Sequence, residues 1–193
     1  MKENFHFHLD TPLARSLRDL LMQLQDRLQL ERMIKAYIAG GIAVHLYTAY
    51  RVTVDVDMEF DAKVPVPSDL SVELPGESGR DPWLYIDTQY NSTFSLIHED
   101  HREDAWRVPL GLSSIDVYVL SPVDLAVSKI SRFAENDRED IATLVRQGLT
   151  TADAIETRAN EALSCYVGNV DMLKTSIRLA VELAKKIEAQ FLA

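Results

Sequence analysis

The chain has 193 residues, of which 47% are hydrophobic and 26% are charged, as in an ordinary globular protein. This length suits one domain with room for a helical extension. Thirty acidic residues against twenty basic ones give a net charge of −10, which argues against non-specific adhesion to nucleic acid, because such adhesion depends on neutralising phosphates. A local basic groove stays compatible with this charge.

The sequence predicts a cytoplasmic protein without a membrane span. It contains no run of about 18 uncharged apolar residues. The N-terminus, MKENFHFHLD, has acids and histidines where a signal peptide needs an apolar core. The single cysteine, Cys165, excludes an internal disulfide and is expected to be a buried, inert thiol, which suits a reducing compartment.

The N-terminal half is predicted to start with a helix and to continue into a mixed β region. Apolar residues recur at helical spacing through 12–38 and predict a helix there. A second, short helix is predicted over about 42–49, after Gly40-Gly41, and an alternating strand over about 51–60. Residues 61–82 carry four prolines and are expected to be mostly irregular. Shorter strands are predicted over 83–87, 93–98, 105–110 and 114–121, with Trp83 and Trp106 in the core.

The C-terminal half is predicted to be helical. Ser121-Pro122-Val123-Asp124 is typical of a helix start, with an N-cap, a proline in the first turn and an acid at the third position, and this helix is expected to reach about residue 133. Three further helices are predicted from Asp137, from Thr150 and over 167–192. The predicted fold is therefore α/β (α+β), with a small mixed sheet flanked by helices. The expected domains are a core at 1–145, including the N-terminal helix, and a helical extension at 146–193 packed on it.

The strand RVTVDVDMEFD carries several carboxylates on one face, although Asp is a poor strand former and like charges on one face repel. Asp55 and Asp57 lie about 7 Å apart along the backbone and point the same way, so their carboxylates can converge on a divalent cation. An exposed edge strand whose acids face water is the alternative. Glu59 and Asp61 extend this face and are expected to face solvent.

Two further features favour phosphoryl-group chemistry. Asp116 is the only charge in an apolar strand, so it is either a solvent-facing residue or a third ligand beside the first pair. Gly40-Gly41 at a helix start allows close backbone approach, and the free N–H groups there favour phosphate, although such a pair by itself is more often a turn. A phosphate-binding backbone segment together with three metal-binding carboxylates is typical of sites that catalyse phosphoryl transfer.

Two segments carry a resemblance to a known family: Gly40-Gly41-Ile-Ala-Val-His-Leu-Tyr, and Arg51-Val-Thr53-Val-Asp55-Val-Asp57. They resemble the signature of the nucleotidyltransferase superfamily of the DNA-polymerase-β type, and more narrowly its bacterial toxin-like and abortive-infection branch. That branch often continues with Pro-x-Asp-Leu, a helical Lys and an Asp-rich helix start. Similar residues here are Pro122-Val-Asp124-Leu125, Lys129 and Asp137-Arg138-Glu139-Asp140. The resemblance runs over about 36–145.

The resemblance implies a role for each matched residue. Asp55 and Asp57 would bind two magnesium ions that bridge the triphosphate of a nucleoside triphosphate, and Asp116 would complete the metal site and act as general base toward the acceptor hydroxyl. The nucleotide-binding residues would be Gly40 and Gly41, which hold the β- and γ-phosphates, together with Arg51, Thr53 and Lys129. Lys129 would neutralise triphosphate charge or be merely solvated; Arg51 and Thr53 would brace the loop, unless Arg51 pairs with an acid of the strand.

The implied reaction transfers a nucleoside monophosphate to a hydroxyl of RNA or protein and releases pyrophosphate. The resemblance also implies a toxin-like role, with an antitoxin protein as candidate partner and no membrane association. The acidic balance favours a protein acceptor, or an RNA engaged through a local patch. Two alternatives stay open: a catalytically silent member that binds a nucleotide or a partner, and a helical interaction protein whose acidic strand is only a solvated edge.

Overall fold

The computed structural model describes residues 5–75, 82–166 and 168–191. These residues form helices and strands of a mixed α/β class, which confirms the predicted class. The helices are α1 Pro12–Leu28, α2 Gly40–Thr48, α3 Pro122–Ser128, α4 Glu135–Arg146, α5 Ala152–Leu163 and α6 Val170–Phe191. The strands are β1 Ile34–Ile38, β2 Asp55–Phe60, β3 Ser71–Glu73, β4 Trp83–Asp87, β5 Trp106–Val108 and β6 Ile115–Val119. Two 3₁₀ turns cover Ser92–Phe94 and Glu99–His101.

The chain forms two compact units. Unit 1 comprises Met1–Tyr90 and Trp106–Val119, and it holds α1, α2 and the six strands. Unit 2 comprises Asn91–Ala105 and Leu120–Ala193, and it holds α3 to α6 and both 3₁₀ turns. The expected organisation into domains at 1–145 and 146–193 stays a prediction. The two compact units divide the chain differently, because they group α3 and α4 with α5 and α6.

The six strands of unit 1 form one mixed sheet in the order β3-β4-β2-β1-β6-β5. β1 runs antiparallel to β2 and parallel to β6, while β4 runs parallel to β2. The outer strands β3 and β5 are antiparallel to their neighbours. Because β1 and β2 are antiparallel, the end of β1 and the start of β2 lie at the same edge of the sheet. The connection between them is α2.

One face of the β2–β4 part of the sheet packs in the core of unit 1. The strands alternate, so Val56 and Met58 on β2 are buried, as are Leu84 and Ile86 on β4. α1 contacts β3 and β4 and contributes a stripe of fully buried leucines, Leu17, Leu20, Leu21 and Leu24. Each such leucine stabilises the fold by about 2 kcal/mol of transfer free energy. The acids of β2 therefore lie on the opposite face.

The structure corrects the prediction of one helix over 12–38. α1 ends at Leu28, where Gln29 adopts a left-handed conformation (φ 45°) and its N–H bonds the carbonyl of Gln25. Residues 34–38 then form β1, a strand with a neighbour on each side. The buried Ile34 and Ile38 fitted a helical stripe equally well in the sequence, so periodicity alone did not separate the two states.

Two smaller predictions are also corrected. Residues 93–98 are not a strand, because Asn91 and His98 cap two 3₁₀ turns by accepting hydrogen bonds from backbone N–H groups two residues on. The described part of residues 61–82 is mostly irregular, as predicted, apart from the short edge strand β3. The strand predicted at 83–87 is confirmed as β4. Cys165 is exposed rather than buried.

Unit 2 is a helical assembly held by buried polar contacts as well as by apolar packing. The predicted N-cap is confirmed, because the Ser121 hydroxyl accepts a hydrogen bond from Asp124 N–H at the start of α3. The Asp124 carboxylate is fully buried and pairs with Arg158 of α5 at 2.7 Å. Arg158 also bonds Asp104 at 2.8 Å. A buried carboxylate of this kind depends on its cationic partner.

Among the described residues, no helix is both long enough and apolar enough to cross a membrane.

Candidate active site

The N-terminus of α2 lies directly against β2. The N–H of Ala39, the last residue before α2, bonds the carbonyl of Asp57 at 2.9 Å. Gly40 has a φ of +64°, and a Cβ there would lie 1.9 Å from Asp57 Oδ2. Residues other than glycine rarely adopt that backbone conformation, so both the positive φ and the lack of space for a Cβ require glycine. The Asp57 carboxylate is therefore held against the first turn of α2.

Gly41 makes the second close contact between these segments. A Cβ on Gly41 would lie 3.0 Å from the Cβ of Thr53. The Thr53 hydroxyl in turn donates a hydrogen bond to Asp55 Oδ1. Each glycine thus faces one residue of the acidic segment, and the two carboxylates keep fixed positions relative to the helix start.

The first-turn amides of α2 are suited to an anion. The N-cap residue, Ala39, supplies no side-chain hydrogen bond to them, and the first N–H groups of any α-helix have no partner within the helix. These groups carry the positive end of the helix dipole. A phosphate beside Gly40 and Gly41 would meet donors already in place. Their role in nucleotide binding stays a prediction.

His45 of α2 fixes the loop that carries Arg51 and Thr53. Its Nδ1 lies 2.6 Å from the Arg51 carbonyl oxygen, which only accepts, so Nδ1 carries the proton. Its Nε2 then accepts from the hydroxyl of Thr11, the N-cap of α1, at 2.7 Å. A single neutral imidazole therefore ties the loop to both helices of unit 1.

This arrangement predicts that the stability of the folded protein depends on pH through the protonation of His45. Burial lowers the pKa of His45 below its usual 6.5, partly opposed by the hydrogen bond to Arg51 and reinforced by the charge of His8. As pH falls below 6.5, the unfolded chain takes up the proton while the folded chain resists it, so the free energy of unfolding decreases. We expect His45→Gln to reduce the difference between the free energies of unfolding at pH 7.5 and pH 5.5, measured by urea denaturation. Equal pH dependence of the two proteins would contradict this role.

Asp87 is a candidate site residue that sequence reasoning missed. It ends β4, where the register pairs it with Asp57, just as Tyr85 pairs with Asp55. Paired residues on adjacent strands share a face and lie about 5 Å apart. Asp87 Oδ1 accepts the Gln89 N–H at 2.8 Å, which sets the orientation of the carboxylate. Asp87 is thus the neighbour of Asp57 on the sheet face that also carries Asp55.

A neutral phenol stands beside these acids. Burial raises the pKa of Tyr90, and the charges of Glu59 and Asp57 raise it further. The Tyr90 N–H bonds the Asp87 carbonyl at 3.3 Å, which keeps this residue close to the end of β4. Glu59, which was expected to face solvent, is half-buried. The Tyr90 hydroxyl keeps its proton and remains a hydrogen-bond donor.

The sequence resemblance implied a helix that begins with two glycines and lies against a strand carrying two aspartates. The structure has this arrangement in α2 and β2. A family model described as "Nucleotidyltransferase of unknown function (DUF6036)" matches residues 15–183, most of the chain. The chain belongs to this nucleotidyltransferase family. No curated protein and no solved structure matched it. The superfamily resemblance is confirmed, while membership of the toxin-like branch stays a prediction.

The register of this nucleotidyltransferase does not bring Asp116 to the paired aspartates. Asp116 pairs with Lys35 on β1, and the Asp57 carbonyl accepts the N–H of Ala39, which lies four residues later in the chain, just past the end of β1. Four residues of strand span roughly 13 Å, and β1 lies between β2 and β6. Asp116 instead accepts hydrogen bonds from Arg107 at 2.6 and 2.9 Å. The metal and general-base roles predicted for Asp116 lack support from this geometry.

Lys129 belongs to unit 2 of the nucleotidyltransferase, at the end of α3. Its ammonium lies 2.9 Å from Asp140 and 3.9 Å from Asp137, and its side chain is only 10% exposed. Both carboxylates stand at the start of α4, the Asp-rich segment that the resemblance singled out. Asp140 neutralises the Lys129 charge, while Asp137 is paired with Arg132 at 2.7 Å, so Lys129 has a structural partner within its own unit. Its predicted contact with triphosphate stays a prediction.

The donor set at the sheet edge fits magnesium. Asp55, Asp57 and Asp87 offer hard carboxylate oxygens, and the glycine at position 40 leaves open the space that a Cβ would fill beside Asp57. Within the described part of the chain, no group of three or more His, Cys, Asp or Glu side chains is placed to hold a metal ion by itself. Magnesium usually binds through one or two carboxylates plus substrate phosphates rather than through an all-protein cage. A magnesium site therefore does not require three protein ligands.

Proposed function

We propose that this nucleotidyltransferase is magnesium-dependent and transfers a nucleoside monophosphate from a nucleoside triphosphate to an acceptor hydroxyl. The observation that supports this most directly is the contact between Gly40 and Asp57, because it sets phosphate-binding amides beside a metal-binding carboxylate. Family membership supports the general reaction class.

Asp55, Asp57 and Asp87 would hold magnesium together with phosphate oxygens of the substrate, rather than as an all-protein cage. When bound, the metal supplies positive charge that offsets the negative charge developing on the phosphate oxygens. The amides of Gly40 and Gly41 bind the β- and γ-phosphates and orient the triphosphate. Thr53 keeps Asp55 in place through its hydrogen bond, and Arg51 belongs to the loop that His45 anchors.

Asp87 takes the proton of the acceptor hydroxyl in the proposed mechanism. Its register position places it beside Asp57 on the side away from β1, whereas Asp116 is held by Arg107. A carboxylate within hydrogen-bond reach of the attacking oxygen accepts its proton as the bond to phosphorus forms. Strand register therefore favours Asp87 over Asp116 in this role.

The test is transfer of label from each of the four α-labelled ribonucleoside triphosphates to total cell extract, with and without magnesium. We expect labelled macromolecule and released pyrophosphate with magnesium only. Asp55→Asn combined with Asp57→Asn should abolish both while the protein remains folded by circular dichroism. Lys63→Gln, an exposed-loop change outside the site, serves as the matched control. Magnesium-independent labelling, or full activity of the double variant, would contradict the proposal.

A catalytically silent, nucleotide-binding protein is the second candidate. It is favoured by one observation: within the described part of the chain, no group of three His, Cys, Asp or Glu side chains is placed to hold a metal ion. Isothermal titration with magnesium and each triphosphate separates the two, because binding without pyrophosphate release indicates the silent form. A toxin-like role, with an antitoxin protein as partner, would follow only for the active enzyme, and its test is growth arrest on expression that the Asp55→Asn, Asp57→Asn variant no longer causes.

A further inference from the structure

Two aromatic side chains lie exposed on the same sheet face as the acids of the site. On β4, Leu84 and Ile86 are buried, whereas Trp83 is 56% exposed and Tyr85 is 45% exposed. Trp83, Tyr85 and Asp87 alternate along the strand and so share one face. We call Trp83 and Tyr85 the aromatic strip. Neighbouring exposed aromatics that end at a site acid are typical of a binding surface rather than of ordinary exposure.

The aromatic strip lies on the side of the site from which an acceptor must come. The phosphate-binding start of α2 follows β1, and the strip lies on β4, on the opposite side of β2. In nucleotidyl transfer the attacking and leaving oxygens stand roughly in line on opposite sides of the phosphorus. If pyrophosphate leaves toward Gly40 and Gly41, as the proposed function holds, the acceptor hydroxyl enters from the β4 side.

A cavity adjoins the strip within unit 1. Its volume is about 520 Å³, and it is lined by Pro67–Ser68 and Leu70–Ser71 on one side and Tyr85–Gln89 on the other. Asp87 is among its lining residues. Cavities of this size accept one side chain or a small molecule rather than a folded surface. A hydroxyl-bearing side chain that entered here would reach the proposed proton acceptor.

The charges around the strip are acidic. Glu73 of β3 pairs with Trp83, Asp55 pairs with Tyr85, and Asp87 ends the same strand. In the described lining of the cavity, Asp87 is the one ionisable carboxylate, and no Lys or Arg accompanies it. A polyphosphate acceptor would find no cationic side chain in this lining, although nucleic-acid binding depends on such side chains. Lysine and arginine side chains, in contrast, bind both carboxylates and aromatic faces.

Resting on the proposed function, we infer that the acceptor is a serine, threonine or tyrosine hydroxyl in a Lys- or Arg-rich protein segment that lies along the aromatic strip. An extended peptide repeats every two residues over about 6.6–6.8 Å, the same repeat that separates Trp83, Tyr85 and Asp87. Alternate basic side chains of the segment therefore meet successive aromatic rings, and the hydroxyl meets Asp87.

The reaction on this acceptor is a balanced nucleotidyl transfer. The side-chain oxygen attacks the α-phosphorus of the nucleoside triphosphate and forms a new P–O bond. The bond from the α-phosphorus to the oxygen that bridges it to the β-phosphorus breaks, and that oxygen leaves with its electron pair as part of pyrophosphate. The hydroxyl proton passes to the Asp87 carboxylate. The product is a phosphodiester between the nucleoside monophosphate and the protein side chain.

The test compares three acceptors with the full-length protein, magnesium and an α-labelled triphosphate that it turns over. The acceptors are a synthetic peptide with a hydroxyl residue flanked by Lys and Arg, the same peptide with Glu flanks, and a single-stranded RNA with a free 3′-hydroxyl. We expect the basic peptide to have the highest kcat/KM. Trp83→Ser and Tyr85→Ser should each raise the KM for this peptide by about tenfold with little change in kcat or in the KM for the triphosphate.

Two controls make the result specific. Phe191→Ser removes another exposed aromatic side chain, on α6, and should leave the KM for the peptide unchanged. Glu73→Lys reverses one charge beside Trp83 and should reduce kcat/KM for the basic peptide but not for the Glu-flanked peptide. Labelling of RNA in preference to the basic peptide, or an unchanged KM in both strip variants, would overturn the inference while leaving the proposed function in place. Absence of pyrophosphate release with every acceptor would overturn the proposed function itself, and the inference with it.

Discussion

Replacing Asp87 by Asn is expected to lower kcat for nucleotidyl transfer by about 100-fold or more, because a positioned proton acceptor contributes that much to such reactions. Asp116→Asn is expected to keep kcat within about threefold of the unchanged protein. The reason is the register: Asp87 is paired with Asp57, whereas Asp116 is paired with Lys35 and bonded to Arg107. The measurement is single-turnover transfer from an α-labelled triphosphate.

Both substitutions preserve shape and the hydrogen bonds that the two carboxylates accept. Asn at position 87 still accepts the Gln89 N–H, and Asn at position 116 still accepts a hydrogen bond from Arg107. Thermal denaturation should therefore show similar Tm values for all three proteins. A large loss of kcat in Asp116→Asn, with Asp87→Asn unaffected, would return the general-base role to Asp116 and contradict the site described above.

Gly40→Ala is expected to abolish detectable transfer while the protein still folds. An alanine in the left-handed conformation costs about 1–2 kcal/mol, which corresponds to a decrease in Tm of about 2–8 °C in a chain of this size. The larger effect is local, because the new Cβ would lie 1.9 Å from Asp57 Oδ2 and would displace that carboxylate. We expect a loss in kcat of about 100-fold or more, measured with the magnesium-dependent transfer assay.

Gly111→Ala is the matched control for this prediction. Gly111 also has a positive φ, +70°, but a Cβ there would have no atom within 4 Å. It should show the decrease in Tm that backbone strain alone causes, with unchanged transfer activity. If both alanine variants lost activity equally, backbone strain would explain the effect and the steric contact between Gly40 and Asp57 would not.

The local features of the site could be predicted from the sequence because they depend on neighbouring residues. Strict alternation in RVTVDVDMEFD put Asp55 and Asp57 on one face, and β2 confirms that face over Asp55–Phe60. The glycine pair before an apolar segment predicted the helix that is α2. Ser121, Pro122 and Asp124 predicted the start of α3. In each case the signal is a side chain's effect on its own backbone or on a residue two to four positions away.

The position of the third carboxylate could not be predicted in the same way. Asp116 and Asp87 each end or occupy an apolar strand, and nothing within either strand distinguishes them. Pairing between strands far apart in the chain decides which acid meets Asp57, and a shift of one residue would turn every side chain to the other face. Trp83 illustrates the same limit, since an exposed tryptophan on a binding face and a core tryptophan have the same local sequence signal.

By itself, then, the chain's order of residues predicted the paired aspartates and the glycines beside them, since these are short-range patterns with local physical causes. The nucleotidyltransferase class came from the resemblance to a known superfamily, which the family model confirms. Only the tertiary structure decided that residues 34–38 are a central strand, that Asp87 rather than Asp116 stands beside Asp57, and that Trp83 and Tyr85 face outward next to the site. The physical reason is that strand order and register come from packing and hydrogen bonds between segments distant in sequence, which no local propensity encodes.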